Sequence, residues 1–293
     1  SKFYSQTLGQ IDKEYIKTRC EGFEDLKAEV QKYTPEYVEK ISGVPAKTLE
    51  EIAALFGQAK TASLFYSMGI TQHTTGTDNV WSTANLQMLC GNLGKIGGGV
   101  NPLRGQSNVQ GACDMGALPV VYTGYQKVVD EPVQKKFEAA WNTTLSNKPG
   151  LPITCMIDEA YNGKIKALYI MGENPMLSDP DLHHVEKALN KLDFLVVQDI
   201  FLTETAKLAN VVLPAASFAE KNGTYTNTER RVQLLRKAVP SPGQARSDWE
   251  IVQDLARALG AQDWNYTTVE DIQKEILALT PSYAGISYER MGR

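Results

Sequence analysis

The stretch that decides the architecture runs from Lys166 to Pro214, KALYIMGENPMLSDPDLHHVEKALNKLDFLVVQDIFLTETAKLANVVLP. It opens with a short apolar run, Ala167 to Met171, that breaks into the polar Gly172-Glu173-Asn174-Pro175. An apolar run of this length bounded by turn residues predicts a buried strand. Helical spacing takes over from Leu182 to Leu192. A second apolar run, Phe194 to Val197, closes on Gln198-Asp199, and a short helix from Thr203 to Ala209 leads into a third run, Val211 to Pro214. Two strand–loop–helix units in direct succession predict a parallel, twisted sheet.

Upstream, the same order recurs. Thr61 to Met68 (TASLFYSM) reads as a buried strand ending at Gly69, GITQHTTGTDNV is polar and turn-rich, and Val80 to Leu93 resumes helical spacing up to Gly94. The segment before it is helical: Ile11 to Tyr33 with a break near Gly22, and a helix opened by Thr34-Pro35-Glu36 and stopped at Gly43. A capping hydroxyl, a proline at the first helical position and an acid in the first turn make that start explicit. Another helix runs from Pro45 toward Gly57. From Lys95 to about Gly124 no period survives, which predicts a long irregular loop kept for a functional reason. Pro132 to Trp141 and Ile153 to Tyr161 are regular again, and ASFAEKNGTYTNTERR is polar and turn-rich. Two helices, Asp248 to Leu259 and Val269 to Leu279, follow it.

Composition narrows the function classes. With 293 residues, 42% of them hydrophobic and 22% charged, the chain has the composition of a globular protein of about two domains. Thirty basic against thirty-four acidic side chains give a net charge of −4, which argues against general nucleic-acid binding. No apolar run is long enough to span a bilayer, so direct membrane insertion is not expected. The opening SKFYSQTLGQ lacks the layout of a secretory signal, and a cytoplasmic location is expected. Cys20, Cys90, Cys113 and Cys155 are widely separated, so no CxxC metal or redox motif forms. Reduced, mostly buried thiols are expected.

Ligands of parallel α/β sheets bind beyond the carboxyl ends of the strands, where backbone N–H groups meet anions. Three such ends can be named: Met68-Gly69 with Thr71 and Gln72, then Gly172-Glu173-Asn174-Pro175, then Gln198-Asp199. An ionised carboxylate only accepts hydrogen bonds, so an Asp there suits a ribose hydroxyl or a guanine edge. Each end taken singly has only what turns attract; three together point to a nucleotide-type ligand. The GxGxxG and GxxxxGK[ST] fingerprints are absent, so NAD and ATP sites are not supported. Arg104 stands in a Gly/Pro/Asn-rich loop with Gln106, Asn108 and Gln110, a setting for a small carboxylate or a phosphate. His73 is a lone loop histidine, and the adjacent His183 and His184 make a poor metal pair; no metal ligand set is assigned. The tract with Arg230 and Arg231 reads as a phosphate site or a plain polar hairpin.

The blocks GITQHTTGTDNV, GNLGKIGGGVNPLRGQSNVQGACDMGALP, MGENPMLSDP, VVQDIFLTETAKLANVVLPA and GTYTNTERR together resemble the catalytic (alpha) subunit of molybdenum- or tungsten-dependent formate dehydrogenases, in the molybdopterin oxidoreductase superfamily. The likeness extends from about Ile16 to Tyr288, and the RGQSNVQGACDMG block is its most specific part. The resemblance implies an α/β fold of two Rossmann-like, doubly wound, mostly parallel lobes with a helical C-terminal extension. Residues 1–105 would form part of a first molybdopterin-binding lobe, 106–216 a second dinucleotide-binding lobe, and 217–293 a polar hairpin and helical extension. It also implies a bis-(molybdopterin guanine dinucleotide) cofactor carrying Mo or W. Met68, Gly69 and Gln72 would contact a pterin dinucleotide; Gly172, Asn174, Ser178, Gln198, Asp199 and Asp248 would hold its guanosine and phosphate parts. Arg104 would orient formate, the catalytic role, and Gln106 would support the pterin.

The departures from the family pattern shape the rest of the expectation. The family's iron–sulfur cysteines lie near the start of the full subunit, and its metal-ligating Cys or selenocysteine is followed by His. Here Cys20, Cys90, Cys113 and Cys155 precede Glu21, Gly91, Asp114 and Met156. The expectation is therefore a central portion of a larger subunit. It would be inactive alone, with formate as the substrate of the whole enzyme. Its partners would be the N- and C-terminal segments of the same subunit, the former carrying a 4Fe–4S cluster, and iron–sulfur or electron-transfer subunits. The competing expectations are a non-catalytic cofactor-binding or carrier module, a structural subunit, and a related reductase acting on nitrate.

Overall fold

Among the described residues four helices lead into the first strand, and local sequence accounts for their bounds. They are α1 (Lys13–Arg19), α2 (Phe23–Val30), α3 (Pro35–Ser42) and α4 (Ala46–Gln58) in a computed structural model that describes residues 11–292. The opening SKFYSQTLGQ, and the expectation attached to it, lies outside the described residues. Gly22, at φ +67°, separates α1 from α2. Thr34 Oγ1 accepts the Tyr37 N–H at 3.2 Å to cap α3, and Gly43, in the left-handed region, ends it. The chain divides into two compact units, Ser1–Gly105 and Gln106–Arg293.

The first unit contains one parallel strand pair. β1 (Ser63–Tyr66) is followed by the short α5 (Met68–Thr71), by α6 (Gly76–Leu89) and by β2 (Gly99–Pro102). β1 and β2 pair in register from Ser63 opposite Gly99 to Tyr66 opposite Pro102. Helix α6 starts four residues before the expected Val80, because its first turn is polar and carries no apolar signal. Gly76 is required there: a Cβ would lie 2.1 Å from the Thr71 carbonyl oxygen.

Strand β2 corrects the expectation of an unbroken irregular loop from Lys95 to Gly124. The sequence GVNP has neither alternation nor an apolar run, so nothing local marks it. Side-chain amides mark it instead. Gln87 Nε2 donates to the carbonyls of Ala62 (3.2 Å) and Gly99 (3.0 Å), tying α6 to the starts of both strands. The same stretch also contains α7 (Val109–Asp114), preceded by Asn108 at φ +62°.

In the second unit, α7 leads through the small hairpin of β3 (Val121–Tyr122) and β4 (Gln126–Lys127) to α8 (Glu131–Trp141) and α9 (Ile153–Tyr161). There follow β5 (Ala167–Met171), α10 (Pro175–Ser178), α11 (Leu182–Asn190), β6 (Phe194–Asp199), α12 (Glu204–Leu208) and β7 (Val211–Pro214). The three strands form one parallel sheet in the order β5–β6–β7, with Tyr169 opposite Val196 and Val196 opposite Val211. The α/β class is as expected.

Alternation along the strands sends the two faces to different environments. Leu195 and Val197 pack with Ile157 and Ala160 of α9, Val185, Ala188 and Leu189 of α11, and Ala206 of α12. The opposite face carries Tyr169, Met171 and Gln198. β8 (Gly223–Thr226) and β9 (Val232–Leu235) form an antiparallel hairpin, so the tract with Arg230 and Arg231 is a polar hairpin turn. Helices α13 (Asp248–Ala258) and α14 (Val269–Leu279) each start in a capping box, Ser247 with Glu250 and Thr268 with Asp271.

Among the described residues, no helix is long and apolar enough to cross a membrane. The expectation of buried thiols is corrected: Cys20, Cys90 and Cys113 are half-buried, Cys155 is exposed, and none is paired. Cys155 lies in the first turn of α9, on the side facing away from the core residues Ile157 and Ala160.

Candidate functional site

The carboxyl end of the β5–β6–β7 sheet gathers most of the residues singled out in the second unit. Gln198, wholly buried, is the penultimate residue of β6. The Tyr169 hydroxyl donates to its Oε1, so its Nε2 is turned to Asp248 Oδ1, to which it donates at 2.7 Å. Lys221 Nζ pairs with the other oxygen, Oδ2. Asp248 is the first residue of α13, where the helix dipole favours a negative charge. Burial, and then the Asp248 charge, push the Tyr169 and Tyr225 phenols above the usual tyrosine range.

Beside this network the chain turns sharply at Gly172, at φ +67°, whose N–H donates to the Gln198 carbonyl at 2.9 Å. Nothing lies within 4 Å of the position a Cβ would take, so the backbone is open to a ligand from that side. Asn174 works mainly within the chain. Its Oδ1 accepts from Thr205 Oγ1 (2.7 Å) and Thr205 N (3.2 Å), and its Nδ2 donates to Glu204 Oε2 at 2.8 Å. That last bond, helped by the backbone N–H of Glu204 itself, holds the Glu204 carboxyl below the usual carboxylate range. One amide proton of Asn174 is left for a ligand. Ser178 donates to the Asn174 carbonyl at 3.2 Å, and Asp199 Oδ1 accepts the Phe201 N–H at 3.0 Å.

The residues singled out in the first unit meet at the end of its strand pair. Met68 and Gly69 form the first turn of α5, and Gln72 Nε2 donates to Met68 Sδ at 3.2 Å. Leu103 N donates to the Tyr66 carbonyl at 2.7 Å and Ser67 Oγ to the Leu103 carbonyl at 3.2 Å, which brings the exits of β1 and β2 side by side. Arg104, exposed, follows directly. Gln106, also exposed, belongs to the second unit. His73 ties back to the Gly69 carbonyl at 2.9 Å, and His184 to Asp158 at 2.9 Å.

Tyr169 and Lys221 escaped the reading of the sequence, although each touches a residue it named. Tyr169 sits inside an apolar run, and Lys221 in a tract that reads as polar turn; the alternation of β5 was the one available signal for the former. The chemistry of this set suits a nucleotide. It offers a carboxylate, a buried amide and an ammonium group at one edge, with unobstructed backbone at Gly172 beside it.

A fold of this kind has known counterparts. The family model described as molybdopterin oxidoreductase matches residues 15–258, and the chain belongs to that family. It is 62% identical over 283 residues to the F420-dependent formate dehydrogenase subunit alpha of Methanocaldococcus jannaschii, covering 96% of this chain and 42% of that protein. It is 43% identical over 282 residues to formate dehydrogenase H of Escherichia coli, covering 96% of this chain and 39% of that protein. The chain thus spans about two fifths of the length of these relatives. Among solved structures, acetylene hydratase from Pelobacter acetylenicus shares the fold at a TM-score of 0.71 with 18% identity, over 98% of this chain and 42% of that one.

Proposed function

We propose that the whole protein is the catalytic subunit of a molybdenum- or tungsten-dependent formate dehydrogenase that oxidises formate to CO₂. This chain would be the portion that holds a bis-(molybdopterin guanine dinucleotide). The observation that carries the proposal is the Gln198–Asp248–Lys221 edge beside the open backbone of Gly172, in a chain so close to formate dehydrogenase alpha subunits. When bound, the metal-carrying pterin supplies the two-electron oxidant. Gly172, Asn174, Ser178, Gln198, Asp199 and Asp248 hold guanosine and phosphate parts, and Met68, Gly69 and Gln72 contact a pterin dinucleotide. Arg104 pairs its guanidinium with the formate carboxylate and orients it, a task its fork geometry suits. Gln106 supports the pterin.

A 4Fe–4S cluster outside this chain would pass the electrons on to electron-transfer subunits, and the names of the methanogen relatives point to F420 as the final acceptor. Four unpaired thiols suit the reducing conditions of a cytoplasm. The test is anaerobic purification of the full-length protein, with metal and guanine analysis and formate-dependent dye reduction. We expect Mo or W with guanine nucleotide, and a loss of about a hundredfold or more in kcat/KM for Arg104→Ala. Full turnover by that variant, or protein without guanine, overturns the proposal.

A further inference from the structure

We propose that a pocket between α8, α13 and α14 binds a small quaternary ammonium ion, held by aromatic walls around the Glu275 carboxylate. None of the residues lining this pocket is among those assigned above to cofactor or formate, so the proposal does not depend on that reading.

Helical spacing builds the pocket. Phe137 and Trp141 lie four residues apart on α8, and Ile272, Glu275, Ile276 and Leu279 line one face of α14 at steps of three and four. Glu275 thus sits among aliphatic residues on the inward face of its helix. Trp249 comes from α13, and Trp264 and Tyr266 from the loop that joins α13 to α14. The pocket has a volume of about 250 Å³, room for a trimethylammonium head on a short chain, since a cavity of about 150 Å³ already takes benzene. Its rings are steeply inclined to one another, Phe137 to Trp141 at 51° and Trp264 to Tyr266 at 77°, so they stand as walls and not as a closed stack. Trp141 and Trp264 are partly exposed, which keeps the walls within reach of a dissolved ligand.

Charge selects the ligand. Trp141 Nε1 donates to Glu275 Oε1 at 2.8 Å, and the Tyr266 hydroxyl donates to Oε2. Both bonds orient the carboxylate without neutralising it. Burial, with the bond to Glu275 and its charge, pushes the Tyr266 phenol up to about 12, so it remains a donor at neutral pH. The neighbouring bases are engaged elsewhere. Arg257 pairs with Asp254 and Lys274 with Asp271, while Lys136 Nζ, 4.9 Å from the Phe137 ring centre, donates to Gln126 Oε1 and the Leu279 carbonyl. Among the described residues no base pairs with Glu275. A carboxylate without a cation, walled by ring faces that attract one, suits a positively charged ligand. Hydrogen bonding then narrows the class. Gln253 spends its Nε2 on the Tyr266 carbonyl and its Oε1 on the Tyr266 N–H, and Thr123 Oγ1 accepts from Thr280. A primary ammonium brings three protons that each need an acceptor, whereas a fully methylated head brings none.

The test is calorimetric titration of the full-length protein with three probes: choline, its uncharged tert-butyl isostere dimethylbutanol, and the primary amine ethanolamine. We expect choline to bind about fivefold to thirtyfold more tightly than the alcohol, the span that cation–π attraction supplies, and more tightly than ethanolamine. Glu275→Gln and Trp264→Leu should each reduce the preference for choline over the alcohol, the first by removing the charge and the second by replacing a π face with aliphatic bulk. Trp264 lies in a loop and is partly exposed, so its variant decides the matter should Glu275→Gln not fold. Four results overturn the proposal: no binding of choline, equal binding of the alcohol, ethanolamine bound as tightly as choline, or a preference for choline that survives either substitution undiminished.

Discussion

The two compact units are held together by different forces. In Gln106–Arg293 the sheet closes on an apolar core, with Leu195, Val197, Val185, Ala188 and Ile157 all buried in one cluster. In Ser1–Gly105, Ile16 and Pro35 are the only apolar side chains larger than alanine that are buried among the described residues. Gln87 and Asn92 are buried there instead. Gln87 binds the carbonyls of Ala62 and Gly99, and Asn92 Oδ1 accepts the Ala62 N–H at 3.2 Å. Each amide also leaves one atom without a protein partner, Gln87 Oε1 and Asn92 Nδ2. Phe65 of β1 is 63% exposed, and Leu55 and Ile96 are exposed too. Apolar burial stabilises in proportion to area, whereas an amide hydrogen bond contributes only about 1 kcal/mol net. The second unit therefore carries its stability in its own sheet, and the first relies on directional bonds while leaving its apolar side chains uncovered.

The sharpest way to break this contrast is to truncate both sheets equally. Leu195→Ala removes a side chain that is almost wholly buried and should cost about 2–5 kcal/mol. Phe65→Ala removes a larger but exposed group and should stay within about 0.5 kcal/mol. Urea unfolding followed by hydrogen exchange, resolved by unit, measures both; equal losses would refute the contrast. Next in size is Gln87→Ala, which strands the carbonyls of Ala62 and Gly99 inside the unit. It should cost roughly 1–3 kcal/mol and raise exchange at the amides of β1 and β2. A change confined to α6 would mean that the amide does not hold the strands.

How far the sequence revealed all this follows the same division. The β5–β6–β7 sheet was legible because each strand is an apolar run ending in turn residues, so local chemistry and burial agree. β2 was not, because GVNP owes its conformation to Gln87 and Asn101, the latter donating to the carbonyls of Gly99 (3.1 Å) and Leu64 (3.4 Å). Gln198 was visible as a strand end, whereas Asp248, its partner fifty residues on, came only from the family resemblance. Lys221 lay beyond both routes. Periodicity reports which residues face a core, and says nothing of which polar side chains from separate elements will meet.

A change of pH tests one buried phenol of the second unit. Tyr283 is buried and donates to Asp114 Oδ2 at 2.8 Å; burial, opposed by its bond to Thr226 and reinforced by Asp114, pushes its phenol up to about 12. The folded state therefore holds the proton after the unfolded chain, near pH 10, has begun to lose it. The contribution is fully present below about pH 10 and is lost as the pH rises toward about 12. Tyr283→Phe should flatten the loss in that window, as read by unfolding at stepped alkaline pH. An unchanged slope would mean that this phenol does not couple to folding.

The smallest effect sharpens the picture of the first unit. Thr34 caps α3 through one bond to the Tyr37 N–H, and the helix buries only Pro35, so packing adds little to what the cap secures. Thr34→Ala should cost about 1 kcal/mol, and Thr34→Ser or Thr34→Asn should restore most of it. Because directional bonds hold this unit, the loss should appear as faster exchange along α3 and leave the β5–β6–β7 sheet untouched. A spread of the effect into that sheet would show that the two units unfold together and that their forces are not separable.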